Sequence, residues 1–276
     1  MSATPLMPTR SAMENAASDT SHDAPRKHRV LNVAITEGTF LGLVDKAVEW
    51  GAAHRSAYVC CVNAHMVVEA RDPAFAKVVN EADMATADGT PVLRCMRWFH
   101  RIDQERVAGN DLMPALLEAA AANALVVYLY GGTEQVHHLI RERAATHVPG
   151  LRIEGHAPPF MPLEQLDLEA EAARINASGA HLVLVSLGCP KQERWMAAMK
   201  GRVNAVMFGL GGAFLLYAGI DSRAPKWMRD LSLEWVYRLA LEPRRLWRRY
   251  LVTNTLFLGM LARHLVTRSA DRRTTT

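Results

Sequence analysis

The sequence predicts an α/β fold: a Rossmann-like, mostly parallel sheet flanked by helices, with a C-terminal helical appendage. Three observations carry that prediction. Apolar β-prone runs alternate with segments of helical periodicity from about residue 30 to residue 220. The run Ala57-Tyr58-Val59-Cys60-Cys61-Val62 is continuously apolar, as in a strand covered on both faces. After Gly219 the strand pattern stops and only helical periodicity follows.

Phe40, Leu43, Val44, Ala47 and Val48 recur at helical spacing, which predicts a helix to about Ala53. The strand Ala57–Val62 ends at Asn63. His65 to Ala82 is helical in pattern, interrupted at Asp72-Pro73, where Pro suits the first position of a new helix. A short strand then ends on Asp88-Gly89, a pair that favours a sharp turn. A helix ends near Asn123, and a strand spans Leu125 to Tyr130. After Gly131-Gly132-Thr133 a helix runs to about His147, followed by a short strand from Leu151 to Gly155. Leu163 to Ser178 reads as helix and His181 to Leu187 as strand, with a helix after Trp195. Val203 to Phe208 is the last strand, ahead of Gly209-Leu210-Gly211-Gly212. Beyond it Leu231, Trp235 and Leu239 form an i, i+4, i+8 stripe, and Pro243 opens a final helix. The resulting division is a tail over 1–28, an α/β domain over 29–220, a helical appendage over 221–266 and a second tail over 267–276.

Composition narrows the function. A net charge of +4 over 276 residues is mild, and no RNA-binding motif appears, so nucleic acid is not an expected partner. Four cysteines with no CxxC pair argue against a disulfide framework or a zinc site. No run of 18 apolar residues exists, so no spanning helix is expected.

In a parallel sheet, ligands bind outside the carboxyl ends of the strands. Asp88 stands at such an end, as a turn residue or as an acid facing substrate. Asn63 there either caps the next helix or binds a sugar hydroxyl or acetamido group. Gly131, Gly132, Gly209 and Gly211 either bring backbone N–H groups to a phosphate or form ordinary tight turns; neither site matches GxGxxG. Gly188-Cys189-Pro190-Lys191-Gln192-Glu193 packs a cation, an amide and an acid into one turn. Pro190 and Glu193 suit a helix start, whereas Lys191 is unfavourable there unless an anion binds. On the last helix, Arg244, Arg245, Arg248 and Arg249 share one face opposite Leu246, Trp247, Tyr250, Leu251, Phe257 and Leu258. That pattern fits an anionic lipid or lipid diphosphate.

Together these segments resemble the WecG/TagA/CpsF family of bacterial glycosyltransferases from about Val30 to Tyr250. The resemblance is carried by Asn63 with Glu69-Ala70-Arg71, Ala82-Asp83 with Ala87-Asp88-Gly89, and Arg106 with Gly109 and Asp111-Leu112. It continues through Leu187 to Glu193, Gly219 with Arg223-Ala224-Pro225, Leu233-Glu234-Trp235 with Arg238-Leu239, Glu242-Pro243-Arg244 and Arg248-Arg249-Tyr250. It implies an inverting transfer of N-acetylmannosamine or a related sugar from a UDP-sugar to a polyprenyl-diphosphate-linked sugar, in cell-surface or exopolysaccharide synthesis. The place implied is the cytoplasmic membrane face, with no cofactor and no metal. By resemblance Asp88 is the general base; Asn63, Arg106, Lys191, Gln192 and Glu193 belong to the substrate pocket; and Arg238, Arg245, Arg248 and Arg249 meet the lipid diphosphate and membrane. A homo-oligomer is compatible with this reading. Two positions depart from the family: Cys61 replaces a frequent Thr, and Phe214-Leu215 replaces Phe-Asp. Those departures are the ground for the alternative, an inactive nucleotide-sugar-binding partner in an assembly.

Overall fold

The protein is described by a computed structural model that covers residues 25–230 and 233–274. Most of the expected N-terminal tail, residues 1–24, lies outside the described residues. Among the described residues there are eight strands: β1 (Lys27–Val30), β2 (Val33–Thr36), β3 (Ala57–Val62), β4 (Met84–Ala87), β5 (Val127–Gly131), β6 (Ile153–His156), β7 (Leu182–Ser186) and β8 (Val206–Gly209). Between and after them run α1 (Phe40–Ala52), α2 (Ala64–Glu69), α3 (Pro73–Asn80), α4 (Thr90–His100), α5 (Gly109–Ala122), α6 (Glu134–His147), α7 (Leu168–Ala177) and α8 (Lys191–Met199). Then come α9 (Ala213–Tyr217), α10 (Lys226–Asp230), α11 (Glu234–Leu241) and α12 (Pro243–Thr274).

Strands β3 to β8 form one six-stranded sheet in the order β4-β3-β8-β7-β5-β6, and every pair is parallel. The continuous apolar run of β3 is explained by burial on both faces. Tyr58, Cys60 and Val62 join one core with α2, α3, α4 and α8; Ala57, Val59 and Cys61 join another with α1, α5 and α6. The helices that follow β5 and β7 pack on opposite faces, which makes the gap between these strands a topological switch point.

The structure departs from the sequence reading in four places. The fold begins with a β1–β2 antiparallel hairpin at Lys27, inside the span expected as tail. Residues 90–100 form α4, opened by Pro91 in its first turn, a helix that the sequence patterning does not announce. The expected helix over 163–178 divides into a 3₁₀ turn (Leu163–Gln165) and α7. Helix α12 runs unbroken to Thr274, through the span expected as a C-terminal tail.

Edge strand β4 is covered rather than left open. The Ala85 N–H donates to Thr36 Oγ1 of β2 at 2.8 Å. Val107 N–H donates to the Ala87 carbonyl at 2.9 Å, and Thr86 Oγ1 donates back to the Val107 carbonyl at 2.9 Å. That exchange fixes the segment carrying Arg106 against the end of β4.

Candidate active site

Asp88 follows the last residue of β4 and is partly buried. Asn63 follows the last residue of the neighbouring β3 and does two jobs at once. Its Oδ1 accepts from the Met66 N–H at 3.1 Å, capping α2, and its Nδ2 donates to Asp88 Oδ2 at 3.4 Å. A side chain already fixed as a cap holds the second hydrogen bond at little further entropic cost. Arg106 Nε donates to the Asp88 carbonyl at 3.2 Å.

Burial pushes the Asp88 carboxyl up to about 6. The Arg106 charge opposes that rise first, then the Asn63 hydrogen bond and the Arg238 charge, while Glu234 reinforces it. The acid is therefore ionised at neutral pH yet basic enough to accept a proton.

Arg106 belongs to a longer chain of charges. Its Nη2 lies 3.5 Å from Asp111 Oδ2 and 3.1 Å from Glu234 Oε2, and Arg223 also pairs with Asp111. Asp111 sits in the first turn of α5 and Glu234 in the first turn of α11, so the appendage is tied across the carboxyl end of the sheet. Arg238 approaches the β8 turn, with Nη1 3.9 Å from where a Cβ on Gly212 would stand. A cavity of about 330 Å³ adjoins this chain, lined by Asn110, Arg143, Tyr217 and Arg223 among others.

Other candidate residues lie differently. The Gly132 N–H donates to the Ser186 carbonyl at 3.0 Å, and the Gly211 N–H to the Val185 carbonyl at 3.1 Å. These N–H groups are already engaged; what the glycines provide is close approach. A Cβ on Gly131 (φ +85°) would stand 2.5 Å from the Ser186 carbonyl oxygen, and one on Gly209 2.8 Å from Met196 Cε. The Lys191 ammonium donates to the Met161 carbonyl and lies 5.5 Å from the Phe160 ring centroid, so it braces the loop after β6. Gln192 and Glu193 are both buried, and the Gln192 amide lies against Gly209 and Gly211.

Arg248 and Arg249 are exposed on α12, and the Arg245 side chain lies outside the described residues. Arg249 stands near enough to His65 that its charge adds to burial in holding that imidazole down to about 4. Cys61 is buried beneath Asp88, and burial with the Asp88 charge keeps it a neutral thiol, pushed up to about 12. Sequence reasoning missed the Asp111–Arg223 and Arg106–Glu234 pairs, although all four residues lie in the segments that carry the family resemblance.

These elements place a basic carboxylate, an amide and converging guanidinium groups at the carboxyl ends of parallel strands, an arrangement suited to deprotonating a hydroxyl beside an anionic leaving group. The family model described as "Glycosyl transferase WecG/TagA/CpsF family" matches residues 28–271, which takes in both the domain and the appendage. The chain belongs to the WecG/TagA/CpsF family of glycosyl transferases, and its reaction moves a sugar from a donor to an acceptor.

Proposed function

We propose that the protein transfers a sugar, with inversion, from a UDP-sugar to a polyprenyl-diphosphate-linked sugar at the inner face of the cell membrane. The observation that carries this reading is Asp88 itself, its carboxylate held by Asn63 Nδ2 and its backbone carbonyl by Arg106 Nε, with burial pushing the acid up to about 6 near the Arg238 charge of the appendage. Asp88 takes the proton of the acceptor hydroxyl. The hydroxyl oxygen bonds the anomeric carbon from the face opposite the diphosphate, and the bond from that carbon to the UDP oxygen breaks. Arg106 and Arg238 stabilise the charge that develops on the departing UDP. Lys191 and the glycine N–H groups have no part in this scheme, because they are engaged elsewhere.

The membrane side of the proposal rests on α12. Trp247, Leu251 and Leu258 are exposed on one of its sides, with Arg244 and Arg248 exposed beside them. Among the described residues no helix is long and apolar enough to cross a membrane, so the proposed association is lateral.

The test is UDP release from a panel of UDP-sugars, with and without a short-chain polyprenyl-diphosphate-sugar acceptor. Asp88→Asn is expected to keep the fold and lower kcat by about 10²–10⁴-fold. A folded Asp88→Asn protein of full activity overturns the base assignment. Binding of UDP-sugar without acceptor-dependent release by the wild type would favour the inactive assembly partner.

A further inference from the structure

Beyond the base and its cations, a second polar pair lies buried between β7 and β8 with its capacity only partly used. Gln192 is 5 % exposed and Glu193 0 %. Gln192 Nε2 donates to Glu193 Oε1 at 2.7 Å, and Glu193 Oε2 is buried without a partner among the described residues. Burial pushes Glu193 up to about 7, yet Oε1 accepts from the amide in either protonation state. With its nitrogen committed to Glu193, the Gln192 amide must turn its oxygen the other way. That oxygen is buried and has no hydrogen-bond partner among the described residues. It faces the turn after β8, 3.4 Å from where a Cβ on Gly211 would stand, and a Cβ on Gly209 would come within 3.1 Å of Gln192 Nε2. Glycine at both positions leaves the amide room against the strand end. A buried acceptor without a donor is costly, roughly 1–3 kcal/mol, unless a ligand supplies the donor.

We infer that Glu193 is a positioning residue: it fixes the Gln192 amide so that Oε1 stands as an acceptor for a hydrogen-bond donor on the transferred sugar. The inference rests on the reading of this crevice as the donor pocket. The matching sugar group is a hydroxyl or an acetamido N–H. Glu193 itself, fully buried behind the amide, touches no substrate.

The experiment is calorimetric titration of wild type, Glu193→Met, Glu193→Asp and Glu193→Gln with UDP, a UDP-hexose and a UDP-N-acetylhexosamine, with a thermal melt of each protein. Met matches the length of Glu without an acceptor, Asp withdraws the acceptor by one methylene, and Gln retains it as a carbonyl. Glu193→Met is expected to weaken UDP-sugar binding about tenfold and leave UDP binding unchanged. Glu193→Asp should do the same in smaller measure, and Glu193→Gln should bind within about threefold of wild type. Loss confined to the N-acetylated sugar identifies the N–H as the donor; equal loss on both sugars identifies a hydroxyl. The inference is overturned if folded Glu193→Met or Glu193→Asp binds UDP-sugar as wild type does. Equal weakening for UDP alone, or a Glu193→Gln protein no better than Glu193→Met, overturns it too. If Met does not fold, the Asp and Gln arms decide. A wild type that binds no UDP-sugar at all removes the donor-pocket reading itself, a different outcome from loss in the variants alone.

Discussion

As the proposed base, Asp88 is expected to set the pH behaviour of the site. Its folded pKa of about 6 lies above the ordinary carboxylate value of 3.8. An acid raised in this way favours the folded state in its protonated form. Its stabilising contribution is therefore fully present below pH 4 and is lost as pH rises through about 6. Asp88→Asn mimics the protonated form, so it should match wild-type stability at pH 4 and exceed it at pH 8. The gain at pH 8 is on the order of 2–3 kcal/mol, or about 5–10 °C in melting temperature. Melts at the two pH values check this, and an equal gain at both would contradict the assigned ionisation. Activity runs the other way: kcat/KM should rise with pH to a plateau above about 6. Arg106→Ala removes the foremost charge that favours ionised Asp88, so it should move that rise to higher pH as well as lower the plateau. At this scale the sequence was informative wherever a side chain sits at a strand end. The place of Asp88 was legible from the Asp-Gly turn, and Asn63 is the helix cap that the sequence offered as one of two readings, with its amide nitrogen turned to Asp88. The direction of Lys191 was not legible, because it depends on the Met161 carbonyl in a loop that carries no periodic signal.

At the scale of the element, backbone fit at strand ends and edges decides more than side-chain chemistry. Thr36→Val keeps the shape of β2 but leaves the buried Ala85 N–H without its acceptor. It should cost about 1–3 kcal/mol in urea unfolding, and a cost near zero would mean that another group reaches that N–H. Gly131→Ala should be worse. Its Cβ would stand 2.5 Å from backbone oxygen at φ +85°, so the β5 and β7 turns would have to separate. The continuous apolar runs announced the parallel strands, and Asn63 and Asp72 announced the starts of α2 and α3. The β1–β2 hairpin was not legible: its four-residue strands are too short to show a period, and β1 carries Lys27, His28 and Arg29 among its residues. Nor was the order β4-β3-β8-β7-β5-β6, which rests on pairings between strands far apart in the chain.

For the whole molecule, the central matter is how the appendage divides its surface between the domain and a proposed membrane. The sequence reading gave α12 one apolar side and one cationic side. The structure divides the apolar side in two. Leu246, Thr253 and Phe257 are buried, and Phe257 joins the core that holds α2 and α4, with Thr253 Oγ1 3.4 Å from His65 Nδ1. Trp247, Leu251 and Leu258 are turned outward, at 54, 60 and 61 % exposure. Helical periodicity explains why the two stripes read as one: they lie about 100° apart on the helix, and both are apolar. The docked stripe is therefore expected to serve stability and the outward stripe the proposed contact with lipid. Phe257→Ala should lower stability by about 3–5 kcal/mol while the folded fraction still binds vesicles. Trp247→Glu with Leu251→Glu should leave the melting temperature within about 2 °C, since both side chains are already in water, but abolish co-sedimentation with vesicles of anionic lipid. Arg244 and Arg248 contribute roughly 1 kcal/mol each at such a surface, so wild-type binding should weaken between 0.1 and about 0.5 M salt. Equal binding of the wild type to neutral vesicles, or a double variant that still sediments, would move the lipid contact away from this face of α12.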